Sequence, residues 1–166
     1  MDFLFRPSSD RANSRHDWNT IEDYMFQHER RLEDYAGFIN DYEIGWEYHD
    51  DPPILVTLLK IWCIGKLIIT IEKAAEVTIG ESGKRLQRLV KTTMYAYNVS
   101  IEGAGNILRY DNNHPHRHHE TGHHRHVYHP PGIEVKGSPE CLGDDWPHMH
   151  EVVEDCIKYY SCVLAR

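Results

Sequence analysis

The sequence predicts an α+β domain, a mostly antiparallel sheet of about five strands with one helix before it and one after it. Three observations predict this. Apolar residues alternate at strand period through most of the segment from Ile54 to Asp111, helical spacing of apolar residues occurs only near the two ends, and the joins between strand segments are of hairpin length. Parallel neighbours would need crossovers of a dozen residues or more, which these joins exclude.

In chain order, residues 1–18 are expected to be a flexible segment, with a single domain over 19–166. A helix is predicted over 20–40, because Ile21, Tyr24, Met25, Leu32, Tyr35, Phe38 and Ile39 follow helical spacing and Thr20-Ile-Glu-Asp23 resembles a capping box with Asp in place of Glu. Residues 42–48 read as a strand ending at the turn Asp50-Asp-Pro-Pro53.

The long apolar stretch 54–71 approaches membrane-spanning length, but Lys60 and Lys66 would lie in the bilayer and its Ile, Val and Thr favour strands. It reads better as two buried strands, 54–62 and 67–79, joined by a tight turn at 64–66. In the second of these, Ile69, Ile71, Ala75, Val77 and Ile79 share one face, while Thr70, Glu72, Glu76 and Thr78 share the other.

After the turn 80–84, residues 86–101 alternate again, with Tyr95, Tyr97, Val99 and Ile101 on one side. The glycine-rich 102–106 is a hairpin loop leading to a short strand 107–111. A turn centred near Ala104 sets Arg109 opposite Val99 and Asp111 opposite Tyr97; a slip of one residue reverses the faces, yet Arg109 and Asp111 share a side in either register. Residues 129–147 read as irregular loop, and the last helix, 148–164, presents Met149, Val152, Val153, Cys156, Tyr160 and Val163.

Composition narrows the function. A net charge of -8 opposes a long-range attraction to nucleic acid, so any RNA contact must be local. Four cysteines without a C-x-x-C pair and an N-terminus lacking secretory character fit a reducing cytoplasm, with no membrane partner.

Eight of the 13 histidines fall between His114 and His129. Imidazole titrates near neutrality, so this density suits proton transfer or metal binding. RNA phosphodiester transfer needs a base, an acid and a cation for the charged transition state. Two histidines can serve as base and acid. Arg109, or else Arg117 or Arg125, can hold the phosphate, and Asp111 can fix a histidine tautomer. Paired imidazoles predict a bell-shaped pH profile. Tyr97 is a candidate for stacking a base, against its ordinary use in core packing, and Lys84, Arg85, Arg88 and Lys91 form a compact basic group that is either a solvated turn or a phosphate contact.

His114, His116, His118, His124 and His126 offer a second reading, a Zn²⁺ or Fe²⁺ hydrolase, although the spacings match no defined ligand motif. A third reading is a non-enzymatic module whose histidine loop docks a protein partner. His148 and His150 read first as a polar helix start, with metal ligation as the alternative.

The residues Tyr95-Ala-Tyr97, a Gly-containing turn, Leu108-Arg-Tyr-Asp-Asn112, His114-Pro-His116 and the closing His123-His-Arg-His126 resemble the TumE-type toxin family of toxin–antitoxin modules, over about residues 54 to 164. The resemblance implies a small cytoplasmic growth-inhibiting toxin restrained by a cognate antitoxin, often a helix-turn-helix protein, with RNA as substrate. It points to metal-independent endoribonuclease chemistry. Arg109, Asp111, His116, His123, His124 and His126 would form the catalytic group, and Tyr97, Asn112, Lys84, Arg85 and Arg88 would contact substrate. The linking stretch 116–122 is unusually rich in histidine, and the segment before residue 45 lies outside the motifs and offers a surface for a homodimer or another partner.

Overall fold

A computed structural model describes residues 17–82, 85–112, 122–143 and 146–165. The elements are β1 (Asn19–Thr20), α1 (Ile21–Asp34), β2 (Ile39–Asp50), β3 (Pro53–Cys63), β4 (Leu67–Ser82), β5 (Arg85–Ile101), β6 (Gly105–Asp111), β7 (His124–His129), β8 (Ile133–Glu134), β9 (Glu140–Cys141) and α2 (Met149–Tyr159). Among the described residues the strands make one nine-stranded sheet in the order β2-β3-β4-β5-β6-β7-β8, with β1 beside β5 and β9 beside β7. Every pairing is antiparallel.

The α+β class with a helix near each end therefore holds, but about five strands is too few. Two-residue strands such as β1, β8 and β9 are too short to show a period. In β7, histidines occupy the alternate buried positions where an apolar signal would otherwise sit.

Both helices cover one face. Tyr24 of α1 reaches Thr92, Tyr110 of β6 donates to Asp155 of α2 at 2.8 Å, and Tyr35 just past α1 donates to Glu154 of α2 at 3.0 Å. Under them lie Leu59, Ile61, Ile69, Ile71, Tyr97 and Val99, all buried at strand period. Thr20 caps α1, accepting from the Asp23 N–H at 3.1 Å. The helix stops at Asp34, short of the predicted end at residue 40. A tight turn through Tyr35 to Phe38, containing Gly37, intervenes, and Phe38 is buried from that turn.

The turn between β3 and β4 depends on Gly65, whose φ is +74° and where an added Cβ would come within 2.6 Å of the Tyr160 ring. α2 begins at His148, whose N–H donates to the Glu151 carboxylate at 2.8 Å, and a π-helical turn, Tyr160–Leu164, ends it. Ile79, expected on the buried face, is instead 72% exposed. The last β3–β4 pair is Ile54 with Glu76, so the end of the β4–β5 hairpin runs past its neighbour on that side. Among the described residues no helix is long and apolar enough to cross a membrane.

The apolar row of β4 includes one lysine. Lys73 is fully buried, its Nζ 3.0 Å from His28 Nε2 and 5.3 Å from the centre of the Tyr97 ring. His28 Nδ1 lies 2.7 Å from the Tyr24 carbonyl, which can only accept, so Nδ1 carries the proton and Nε2 receives the Lys73 hydrogen bond. Burial, with the neighbouring Lys73, lowers the His28 pKa well below 6.5, and burial lowers that of Lys73. Because the unfolded chain takes up protons that the buried ring refuses, the stability associated with neutral His28 is complete above about pH 6.5 and is lost as the pH falls. The double substitution Lys73→Met/His28→Phe should raise the melting temperature at pH 7 and flatten its decline towards pH 5. Thermal unfolding followed by circular dichroism checks this, and an unchanged pH slope would exclude the pair as its source.

Candidate functional site

Strands β5, β6 and β7 place the motif residues. A bulge between Val99 and Ser100 sets Asn98 opposite Arg109, Ala96 opposite Asp111 and Tyr97 opposite Tyr110. This is the one-residue alternative to the simple hairpin register. Since directly paired residues share a face, Arg109 and Asp111 lie on the side away from Tyr97 and the helices. On β7, His126 pairs with Arg109 and His124 with Asp111, which brings both imidazoles to that same side.

The side chains are linked. Arg109 Nε donates to Asp111 Oδ2 at 2.7 Å, with Asp111 fully buried and the Arg109 side chain 32% exposed. His126 Nε2 lies 3.7 Å from the same Asp111 oxygen, and His126 Nδ1 lies 2.8 Å from Glu134 Oε1. The Ser138 hydroxyl donates to Glu134 at 2.8 Å and accepts from the Val127 N–H at 3.1 Å. Tyr128 lies parallel to His126 with ring centres 6.3 Å apart, and the buried His124 ring is also 6.3 Å from the His126 ring. Burial raises the Tyr128 pKa, and Glu134 adds to the rise, so the phenol stays protonated at neutral pH.

His123 stacks with Tyr95 and Trp146, its Nδ1 3.1 Å from the Tyr95 hydroxyl. Tyr95 belongs to the helix-covered face. Asn112 clamps β5: its carbonyl accepts from Tyr95 N–H at 2.8 Å and its amide donates to the Thr93 carbonyl at 2.9 Å. Tyr97, expected to stack a base, is fully buried, so it has no surface to offer one. Arg125 pairs with Tyr110 across the ladder, facing the helix side, and forms an ion pair with Glu140.

Arg85 and Arg88 lie near the end of the β4–β5 hairpin, and the Arg88 guanidinium sits 5.1 Å over Tyr48. Asn98, the partner of Arg109, lies ten positions along β5 from Arg88, a span of about 33 Å. The basic group and the histidine group are thus separate regions. Lys84, His114, His116, His118 and Arg117 lie outside the described residues.

Sequence reasoning missed Glu134 and Ser138, assigned to loop. Pro130-Pro-Gly132 turns the chain back so that Glu134 pairs with Tyr128, and a Pro-Pro-Gly turn directly after a strand was the available signal for that return. His148 is the N-cap of α2, the helix start expected of this pair, and the His148 and His150 rings are buried and stacked 5.6 Å apart.

The linked groups combine a partly exposed cation, a histidine set between two carboxylates and a second histidine alongside. Such a set can bind an anion and hold an imidazole in one orientation. Among the described residues, no group of three or more His, Cys, Asp and Glu side chains could hold a metal ion. Asp111→Ala should cost about 3 kcal/mol, because a buried charged network loses its central acceptor. Urea unfolding measures this; a loss below 1 kcal/mol, roughly the worth of an exposed pair, would show that the network contributes little to the fold.

The family model described as Toxin TumE matches residues 66–160, more than half of the chain. No curated protein and no solved structure matches. The matched span holds β4 to β9 and all of α2, including every linked residue just described, and leaves β1, α1, β2 and β3 outside it.

Proposed function

The chain belongs to the TumE toxin family, which makes it the toxin of a toxin–antitoxin module with a cognate antitoxin as partner, and from that premise we propose that it is a metal-independent endoribonuclease. The observation that supports this best is the chain of contacts from Arg109 through Asp111 to His126 and Glu134, with His124 alongside.

In this reading, Arg109 uses Nε to hold Asp111 and presents its Nη groups to the scissile phosphate. His126, oriented by Glu134, and His124 share the proton transfers, which requires both rings, buried in this structure, to become accessible to the RNA when it binds. One imidazole takes the proton of the 2′-hydroxyl as that oxygen bonds to phosphorus. As the bond from phosphorus to the 5′-oxygen breaks, the other, in its imidazolium form, gives its proton to the leaving oxygen. The products are a 2′,3′-cyclic phosphate and a 5′-hydroxyl, so no cofactor is consumed. Asp111 and Glu134 are positioning residues, and His123 braces the strand start through its stack with Tyr95 and Trp146. Such a toxin would act in the cytoplasm, where its RNA substrate is.

Induced expression of wild type should arrest growth and yield new RNA ends, whereas Arg109→Ala and His124→Ala/His126→Ala should lower cleavage of a short RNA by about 100-fold or more. Cleavage should survive chelation and fail on a substrate with a 2′-deoxy sugar at the cut site. Full activity of the double histidine variant, or cutting of the deoxy substrate, would refute the mechanism. Activity abolished by chelation and restored by Zn²⁺ or Fe²⁺ would favour the metal-dependent hydrolase instead.

A further inference from the structure

β2 forms one end of the main strand order, and among the described residues it pairs only with β3. Its 12 residues are mostly exposed, so one row of backbone donors and acceptors faces outward along the whole strand. Its side chains divide by face. Tyr42, Ile44, Trp46 and Tyr48 line the helix side, whereas Asp41, Glu43, Gly45, Glu47 and His49 line the other, with Glu43 opposite Lys60 and Gly45 opposite Leu58.

The strand and its turn carry Asp41, Glu43, Glu47, Asp50 and Asp51, with no lysine or arginine among residues 39–51. Where Gly45 lacks a side chain, a hollow of about 410 Å³ lies beside Leu58, lined also by Glu43, Lys60 and Glu72. Leu58 is 49% exposed there.

We infer that this edge accepts an extended segment of a partner protein, added as a further strand, in which apolar residues alternate with lysine or arginine. Backbone bonds supply affinity and the side-chain alternation supplies selectivity, as in other strand-addition complexes. The apolar residues of the added strand continue the row from Tyr42 to Tyr48. Its basic residues face the carboxylates, and the one opposite Gly45 lays its aliphatic stem over Leu58 and carries its charge to Glu43 and Glu72.

A second copy of the chain is a poor occupant. Antiparallel two-fold pairing centred on Gly45 opposes Glu43 to Glu47, centring on Ile44 opposes Asp41 to Glu47, and centring on Trp46 opposes Asp41 to Asp51. Like charges directly across a ladder are destabilising. The inference is independent of the ribonuclease reading, because β2 lies outside both the matched family span and the linked site.

An acetylated nonapeptide alternating valine and lysine serves as probe, and one alternating valine and glutamate as control. Titration followed by amide NMR of the full chain should perturb residues 39–50 with the lysine peptide alone, and added salt should weaken binding. Glu43→Lys/Glu47→Lys alters two exposed side chains, and circular dichroism verifies its fold. It should bind the lysine peptide at least tenfold more weakly and gain binding of the glutamate peptide. Perturbations elsewhere, no binding, or an affinity indifferent to this reversal would overturn the inference. So would sedimentation showing that the chain dimerises through β2.

Discussion

The bulge between Val99 and Ser100 decides on which side of the sheet the candidate site residues of β6 and β7 stand. Side-chain direction alternates with every residue, so one extra residue in the ladder moves Arg109 and Asp111 from the helix-covered face to the opposite one. Antiparallel pairing of β7 with β6 then carries His124 and His126 to the same side, and the Pro-Pro-Gly turn after β7 returns Glu134 to His126. The linked group of cation, carboxylates and imidazoles therefore rests on a backbone irregularity at Ile107, two residues before Arg109 on the same strand.

The two faces of the sheet use polar residues differently. Beneath the helices, Lys73 and His28 form a buried pair surrounded by Tyr24, Trp46 and Tyr97, an arrangement that costs desolvation and ties α1 to the middle of β4. On the other face Asp111 is equally buried, yet it connects to an Arg109 side chain that still reaches solvent. The first arrangement is suited to holding layers together. The second pairs a rigid acceptor with an accessible cation, the combination an anion-binding site requires.

The family-matched segment and the elements before it also separate physically. The matched span supplies the central β4–β5 hairpin and the strands carrying the linked residues. β2 and β3 extend the sheet from β4 and place a long acidic edge at its far end, several strands from Arg109. A partner held at that edge would leave the face carrying His126 uncovered by the same strand, so binding there and chemistry at β6 and β7 are compatible in one molecule.

Local pattern was enough for the α+β class, the two terminal helices, the five longer strands and the histidine-rich region. These features depend on period, capping and turn residues, which are properties of neighbours in the chain. The short strands β1, β8 and β9, the early end of α1 and the placing of Ile79 outside the core depend on which element lies alongside, and no window of sequence contains that information. The same division applies to the site. Arg109 and Asp111, two residues apart on one strand, had to share a face, and the sequence alone determined this. Only the tertiary structure decided which face it was, that Tyr97 is sealed in the core, that Asn112 clamps β5, and that Glu134 belongs with His126, because ladder register and the return of a distant loop fix those positions.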